Sequence, residues 1–223
     1  MTNTEKMKQK QPWPTKAVMQ QIYEQHLWGG KDSDFYSGFG SHEHNTVKFY
    51  IKTVSDFLKS HKSKLKVCDL GCGDFNIGKQ LVPYTSKYVA IDIVETLIDR
   101  NKKLFKADNL EFHCLDISKD GLPHADGIIL RQVLQHLSNK EIKRIVDKLS
   151  HYKYIIITEH IPSGNFEPNK DKIASQGIRL KQNSGVDLLA EPFNFKVKST
   201  EFLNEIVLDN NKGRIVTNLY KVF

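Results

Sequence analysis

Acidic residues recur at the ends of apolar runs in this sequence. Asp69 lies within Val-Cys-Asp-Leu, Asp92 ends Tyr-Val-Ala-Ile-Asp, and Asp116 and Glu159 follow two further apolar runs. A single acid of this kind could be a helix cap, because carboxylates accept hydrogen bonds from the free amides at a helix start. Four acids at equivalent positions are better explained by a shared site, where carboxylates attract positive charge.

Glycines follow the first of these acids. Gly71 and Gly73 come directly after an apolar run, and Ile77 and Leu81 then recur at helical spacing. This pattern predicts a buried strand, a tight turn and a helix start. Glycine lets a ligand approach the backbone closely, and free amides at a helix N-terminus favour an anionic group. We therefore expect a small-molecule cradle at this turn.

The spacing of the glycines excludes two common nucleotide sites. A dinucleotide fingerprint requires a third glycine at position 76, where this sequence has Asn76, and Gly78 comes two residues later. No Gly-Lys-Ser/Thr follows, which excludes a P-loop. Asp69, ahead of the glycines, would oppose a pyrophosphate but suits a ligand with an ammonium group.

Strand and helix patterns alternate through the central part of the chain. Ser138, with Glu141 three residues later, forms a capping box at the start of one helix. Such alternation predicts a parallel sheet covered by helices on both faces, with the ligand crevice at the carboxyl ends of the strands. The predicted strands span 65–70, 87–92, 110–114, 126–130 and 152–158, further helices span 47–58 and 94–105, and two terminal strands at 202–208 and 214–222 flank a hairpin turn at 209–213.

Two segments lack such a pattern and are expected to cover the site. Residues 28–41 mix glycine, serine and aromatic residues, which is typical of an ordered loop close to a ligand, or equally of a flexible linker anchored by its aromatic side chains. Residues 161–192 form a long connection that predicts a lid or specificity insertion, with disorder as the alternative. We divide the chain into an arm and covering loop, residues 1–46, and an α/β domain, residues 47–223.

Composition and charge bound the possible functions. The 223 residues, 39% of them hydrophobic, suit one domain, and their net charge of +7 comes from dispersed lysines that favour solvation over a nucleic-acid interface. No apolar run approaches the roughly 20 residues of a membrane span, so we expect a cytoplasmic protein without a membrane partner. Cys68, Cys72 and Cys114 fit a reducing compartment, and Cys68 and Cys72 with His113 are too weak a pattern to predict a metal site.

The glycine turn and the acids together resemble a known family. Val-Cys-Asp-Leu-Gly-Cys-Gly, residues 67–73, resembles the first motif of class I S-adenosylmethionine-dependent methyltransferases, and the resemblance extends over about residues 65–159. Asp92, 19 residues beyond Gly73, is similar to the family's ribose-binding acid. The resemblance implies a three-layer α/β sandwich with a doubly wound, seven-stranded, mostly parallel sheet of order 3-2-1-4-5-7-6, in which strand 7 is antiparallel. S-adenosylmethionine is the implied cofactor, and S-adenosylhomocysteine its product.

The resemblance also implies which residues bind each ligand. Asp116 and Ile117 are similar to the pair that flanks the adenine, and the segment Leu-Arg-Gln-Val-Leu-Gln-His-Leu after strand four is similar to that of small-molecule members. Amides of the glycine turn are expected to serve the cofactor's carboxylate. The expected cofactor-binding residues are Asp69, Gly71, Cys72, Gly73, Asp92, Ile93, Asp116, Ile117, Arg131 and Gln132, and the expected substrate-binding residues are Trp28, Tyr36, Ser37, Gly40 and Ser41.

Methyl transfer from a sulfonium is an in-line displacement, so the protein mainly aligns the reactants and excludes water. An oxygen or nitrogen acceptor can need to lose a proton, for which histidine is the ordinary base. His136 and Glu159, with His160 behind them, are the expected catalytic residues. His136 could equally be a helix-entry residue that packs near the cofactor without transferring a proton.

The acceptor is less well defined than the cofactor. The segment after strand four lacks the Asn/Asp-Pro-Pro-Tyr/Phe of enzymes that methylate planar nitrogens, which argues against DNA and many RNA substrates. We therefore expect a small-molecule or sugar-containing acceptor. An RNA methyltransferase and a non-catalytic cofactor-binding protein are the alternatives, since a fold does not by itself establish an activity.

Overall fold

The computed structural model describes residues 12–209 and 212–223. The first eleven residues of the predicted arm, and two residues of the predicted turn at 209–213, lie outside the described residues. In the described part of the chain, no helix combines the length and the apolar character that a membrane crossing requires.

A seven-stranded sheet forms the centre of the molecule, in the order β3-β2-β1-β4-β5-β7-β6. The first five strands are parallel, and β7 runs antiparallel to both of its neighbours. The predicted order and the antiparallel seventh strand are therefore confirmed. The strands are β1 Lys66–Leu70, β2 Lys87–Asp92, β3 Leu110–Cys114, β4 Gly127–Arg131, β5 Tyr154–Ile161, β6 Ser199–Val207 and β7 Arg214–Lys221.

Helices cover both faces of this sheet. Strands buried on both faces are near-continuous apolar runs, as in the Ile-Ile-Leu of β4, whose five residues are all buried. Buried side chains on one face pack against α2, and those on the other face pack against α1 and α5. The helices are α1 Thr15–Glu24, α2 His44–Lys59, α3 Gly78–Leu81, α4 Glu95–Leu104 and α5 Asn139–Leu149, and short 3-10 helices span Phe39–Ser41, Val82–Tyr84, Leu134–His136 and Arg179–Gln182.

The start of α5 confirms the predicted capping box. The Ser138 side chain accepts from the Glu141 backbone N–H, and Glu141 Oε2 accepts from the Ser138 N–H at 3.0 Å. This cap fixes where α5 begins, and so fixes the short connection that joins β4 to α5 over the carboxyl edge of the sheet. The Leu134–His136 3-10 helix lies within that connection.

The fifth strand is longer than its sequence pattern predicts. Residues Glu159 and His160 were expected to follow this strand, but β5 continues to Ile161, and Glu159 pairs with Val216 of β7. The prediction was wrong because β7 supplies an antiparallel partner along the whole of β5. That pairing joins distant parts of the chain and leaves no local signal in the sequence.

The connection between β5 and β6, residues 162–198, is irregular but held to the body of the protein. The Arg179 guanidinium is 1% exposed and donates to the carbonyl oxygens of Leu134, Gln135 and Leu137 at 3.3, 3.2 and 2.8 Å. We call residues 162–198 the covering segment. Arg179 thereby ties the covering segment to the Leu134–His136 3-10 helix.

Candidate functional site

A cavity of about 730 Å³ opens at the carboxyl ends of the parallel strands. All ten residues expected to bind the cofactor line this cavity, as do His136 and four of the five residues expected to bind substrate. Further lining residues come from α1 and from positions 176–178 and 180–181 of the covering segment. The cavity therefore brings the predicted cofactor residues together with the covering loop, residues 28–41, and the covering segment.

The glycine turn after β1 forms one wall. Gly71 and Gly73 have φ angles of +82° and +55°, a region that side chains other than glycine rarely adopt. A Cβ atom at Gly71 would overlap the side chain of Val133, and one at Gly73 would overlap that of Ser37. Glycine is therefore required at both positions for two reasons: the backbone conformation and the close packing against neighbouring segments.

The backbone amides of this turn already have acceptors within the protein. Gly71 and Cys72 both donate to the carbonyl oxygen of Ile91, at 2.8 and 2.9 Å, and Gly73 donates to Asp92 Oδ2 at 3.1 Å. The sequence predicted that these amides would bind the ligand's carboxylate. In the structure the turn folds back onto the end of β2, and these N–H groups donate to acceptors there.

Two buried carboxylates lie beside the turn. Asp92 accepts from Gly73 and also from the Val94 N–H at 3.1 Å, and burial raises its pKa. Asp69 accepts from the Tyr88 hydroxyl at 2.8 Å, and burial raises the pKa of Asp69 to about 7. A buried carboxylate with a raised pKa is stabilised by a cationic or hydrogen-donating ligand, because such a ligand compensates for lost hydration.

Asp116 lies after β3 on the same edge. It accepts from the Ser118 N–H at 3.0 Å and from Lys119 Nζ at 2.7 Å. Burial alone would raise the pKa of Asp116, but these hydrogen bonds outweigh it and lower the pKa. Asp116 is therefore ionised at neutral pH and shapes the outer end of the cavity together with Ile117.

Arg131 ends β4 and is 9% exposed. Its Nη2 donates to the Gly40 carbonyl oxygen at 2.6 Å, its Nη1 donates to Ser41 Oγ at 3.3 Å, and its guanidinium lies 4.8 Å from the centre of the Tyr50 ring. Nη1 also contacts Gln132 Oε1 at 3.2 Å. These contacts join the covering loop to the end of β4. Burial lowers the pKa of Arg131.

His136 lies on the other side of the cavity and packs against Trp28, with 5.2 Å between the ring centres. Its Nδ1 lies 3.2 Å from the Ser175 carbonyl oxygen, so Nδ1 carries the hydrogen and Nε2 the lone pair. Gln135 Nε2 lies 3.2 Å from His136 Nε2. Burial, with a smaller effect of the Lys172 charge, lowers the pKa of His136 to about 4, so the ring is neutral at physiological pH.

Glu159 and His160, the other two expected catalytic residues, are not among the residues that line the cavity. Glu159 is 3% exposed and accepts from the N–H groups of Leu134 and Gln135 at 3.1 and 2.9 Å, and burial raises its pKa to about 8. The His160 ring lies 2.6 Å from the Lys212 carbonyl oxygen. The structure thus places Glu159 beneath the Leu134–His136 3-10 helix and His160 away from the cavity.

The covering loop, residues 28–41, lies over the glycine turn. Trp28, Ser37, Gly40 and Ser41 line the cavity. Tyr36 is not among the lining residues, and its ring stacks on His42 with 4.4 Å between centres. Four of the five expected substrate residues are therefore brought to the cavity, although Ser37, Gly40 and Ser41 lie on its cofactor side.

Asp74 was missed by the sequence reasoning. It is 5% exposed and accepts from the Ser37 N–H at 2.8 Å, and His42 Nε2 lies 2.6 Å from Asp74 Oδ2. Ser37 Oγ in turn accepts from the Asp74 N–H at 2.8 Å. The position of Asp74 directly after the glycines was the available signal for a role in the site. Its partner Ser37 is 37 residues away in sequence, so no local pattern indicated the contact.

Comparison with known proteins agrees with this geometry. A family model described as a methyltransferase domain matches residues 68–152, which include the glycine turn, Asp92, Asp116 and the Leu134–His136 3-10 helix. The match identifies a methyltransferase domain in this central part of the chain. Among curated proteins, the chain is 26% identical over 133 residues to the ubiquinone biosynthesis O-methyltransferase of Rickettsia akari (strain Hartford). The aligned region covers 57% of this chain and 51% of that protein. The alignment thus spans about half the length of that relative.

Solved methyltransferase structures share the fold. The N-methyltransferase NodS from Bradyrhizobium japonicum WM9, in complex with S-adenosyl-L-homocysteine, has a TM-score of 0.62 at 10% identity, with 92% of this chain and 98% of that chain covered. The magnesium protoporphyrin IX methyltransferase ChlM from Synechocystis PCC 6803, with bound S-adenosylmethionine, has a TM-score of 0.57 at 16% identity, covering 96% and 100% of the two chains. At these identities the likeness shows the fold alone.

The residues of the cavity fit S-adenosylmethionine, the cofactor of this family. Its ammonium and ribose hydroxyl groups are hydrogen-bond donors, and Asp69 and Asp92 offer buried carboxylate acceptors on the wall formed by the glycine turn. Ile93 and Ile117 add apolar surface of the kind that packs against a purine ring. Donors and acceptors of the ligand and of this wall are thus complementary.

Proposed function

We propose that this chain transfers a methyl group from S-adenosylmethionine to an oxygen or nitrogen atom of a small molecule or sugar-containing acceptor. One observation carries the proposal: a single cavity joins the acids and glycines of the cofactor wall to His136, Trp28 and the covering segment. Its volume of about 730 Å³ falls within the range of about 300–1,000 Å³ typical of small-molecule sites. A second ligand can therefore lie beside the cofactor within the same enclosure.

In this proposal the wall around the glycine turn holds the cofactor. Asp92 accepts from the ribose hydroxyls, Asp69 faces the ammonium group, and Asp116 with Ile117 flanks the adenine. When bound, S-adenosylmethionine supplies an electrophilic methyl group on a positively charged sulfur. The protein supplies alignment and exclusion of water, which the covering loop and covering segment favour by enclosing the cavity.

His136 is the proposed proton acceptor. Because Nδ1 is held by the Ser175 carbonyl oxygen, Nε2 is the basic atom, and the Gln135 amide must move aside for an acceptor hydroxyl or amine to reach it. A pKa of about 4 makes His136 a weak base, so it would accept the proton as the nucleophile attacks rather than beforehand. Glu159 then acts as a positioning residue, since the oxygens of its carboxyl group accept from the backbone N–H groups of Leu134 and Gln135.

The acceptor class is supported by the relatives as well as by the cavity. The curated relative is described as an O-methyltransferase, one structural neighbour as an N-methyltransferase and another as a methyltransferase of magnesium protoporphyrin IX. These proteins include oxygen and nitrogen chemistry, which is why the proposal leaves both atoms open. A cytoplasmic location, predicted from the sequence, belongs to the same proposal.

Calorimetry with S-adenosylmethionine tests the cofactor half of the proposal. The wild-type protein should bind, Asp92→Ala should bind weakly or not at all, and Asp108→Ala should bind like wild type, because it removes the same charge from an exposed position. Circular dichroism should show both variants folded. Absence of binding to the folded wild type would refute the proposal.

The acceptor half requires a transfer assay. Cell extract incubated with the protein and methyl-labelled cofactor, then separated by mass spectrometry, should contain a labelled small molecule that is absent when Asp92→Ala replaces the wild type. Ribonuclease treatment of the extract should leave the labelled product intact. Label found only in RNA would replace the proposed acceptor, and cofactor binding without any labelled product in repeated extracts would favour a non-catalytic role.

A further inference from the structure

Arg131 places a positive charge in the cavity wall without a salt-bridge partner, although its charge interacts at longer range with that of Asp69. Among residues 12–209 and 212–223, no carboxylate oxygen lies within 4.0 Å of its guanidinium, and its contacts are a carbonyl, a hydroxyl, a side-chain amide oxygen and an aromatic ring. A buried charge without a counter-ion in contact is costly, since a carboxylate at longer range replaces only part of the lost hydration. A bound anion would restore the balance.

The guanidinium also has N–H donors that lack a hydrogen-bond acceptor within the described residues. Its Nε has no hydrogen-bond partner, although the atom is buried, and Nη2 uses one of its two N–H groups for the Gly40 carbonyl oxygen. Arginine presents five N–H donors in a planar fork that matches a carboxylate. Nε and Nη2 lie on the same edge of that fork, so the free donors suit a bidentate carboxylate.

The position of Arg131 identifies which carboxylate. In the parallel pairing of β1 with β4, Asp69 is opposite Ile129, so the glycine turn that follows β1 and Arg131 at the end of β4 lie at the same edge of the sheet. The contact between Gly71 and Val133 agrees with this placement. The N–H groups of Gly71, Cys72 and Gly73 are already bonded to Ile91 and Asp92, so an anion at the turn would have to replace those bonds.

We propose that Arg131 binds the carboxylate of S-adenosylmethionine in place of the glycine-turn amides. The assignment rests on the proposed function, because it presumes that this cofactor occupies the cavity. Lys181, the other lysine or arginine that lines the cavity in the described part of the chain, is exposed and belongs to the covering segment. Arg131 is therefore the cation next to the turn.

Binding of two ligands to matched variants tests this assignment without an activity measurement. The ligands are S-adenosylmethionine and decarboxylated S-adenosylmethionine, which differ only in the carboxylate, and the proteins are wild type, Arg131→Gln, Arg131→Lys and Lys181→Gln. The measured quantity is the ratio of the two Kd values for each protein. A misfolded variant loses both ligands, so the ratio separates recognition of the carboxylate from damage to the fold.

Loss of a charge-assisted bidentate pair corresponds to about 10- to 150-fold in affinity. Arg131→Gln should therefore shift the ratio by about that factor toward the decarboxylated compound, Arg131→Lys should shift it less, and Lys181→Gln should leave it at the wild-type value. An unchanged ratio in Arg131→Gln, or a shift in Lys181→Gln instead, would overturn the assignment while leaving cofactor binding intact. Failure of wild type to bind either compound would overturn the proposed function and this assignment with it.

Discussion

Replacement of Gly71 by alanine tests the central structural argument about the glycine turn. Two costs are expected. The first is backbone strain, because φ at Gly71 is +82° and an L-residue pays about 1–2 kcal/mol in the left-handed region. The second is overlap with the Val133 side chain, and overpacking of this kind costs about 1–3 kcal/mol. Together they predict a loss of about 2–5 kcal/mol in the free energy of unfolding.

Gly164 provides a matched control. Its φ is +71°, but a Cβ atom there would meet no heavy atom within 4 Å. Gly164→Ala should therefore show only the backbone cost, about 1–2 kcal/mol. Val133→Ala removes the methyl groups that the new Cβ would overlap, so the double variant Gly71→Ala/Val133→Ala should be less destabilised than the sum of its two single variants.

Urea denaturation of the four variants, followed by circular dichroism, measures these differences. Gly71→Ala should also weaken S-adenosylmethionine binding, because the displaced turn carries Asp92's partner Gly73. The reasoning fails if Gly71→Ala is no less stable than Gly164→Ala, or if Val133→Ala adds its full cost in the double variant. Either result would mean that packing against Val133 does not require glycine.

Four further predictions concern the rest of the site. His136→Gln should lower kcat by about 100-fold or more with cofactor affinity unchanged, and a loss below tenfold would contradict its role as base. Since the pKa of His136 is about 4, wild-type kcat should fall as pH drops through about 4. The pH profile of kcat should show no titration near 6.5, the ordinary pKa of histidine. Burial raises the pKa of Glu159 from 4.5 to about 8, so its protonated form stabilises the fold at low pH and this contribution is lost as pH rises through 8. The urea midpoint of the wild type should therefore decline over this pH range, and Glu159→Gln should make the decline smaller. An unchanged dependence of the urea midpoint on pH in Glu159→Gln would exclude Glu159 as its source. Asp74→Ala should free the loop held through Ser37 and His42, seen as faster proteolysis within residues 28–41 and weaker cofactor binding; wild-type proteolysis would show that the loop is held elsewhere.

Local patterns were enough to predict most of the sheet. The bounds of β2 and β3 follow from apolar runs that end at Asp92 and Cys114, and the capping box marks α5 because its partners lie three residues apart. Sheet order came through the resemblance to a family rather than from periodicity. The extension of β5 to Ile161 escaped prediction because it depends on pairing with β7 across the chain.

The site shows the same division between local and distant causes. Acids at strand ends could be located from sequence, because parallel strands bring their carboxyl ends to one edge. The occupied amides of the turn could not, because their acceptors, the Ile91 carbonyl oxygen and Asp92 Oδ2, lie on a neighbouring strand and no local pattern signals these contacts. Likewise Glu159 was found as an acid near the site, but its burial beneath Leu134 and Gln135 depends on packing that only the folded chain reveals.

Arg179 bears on which parts of the covering segment can vary in sequence while the segment stays attached. The guanidinium fastens the covering segment to the backbone that carries His136, through carbonyl oxygens that every residue possesses. Side chains of that backbone can therefore mutate without loosening the attachment, and residues 176–178 can vary while Arg179 keeps the register. Libraries that randomise positions 176–178 and retain Arg179 should yield folded proteins with altered cavity walls, so that one arginine separates the attachment of the segment from the side chains that it presents to the cavity.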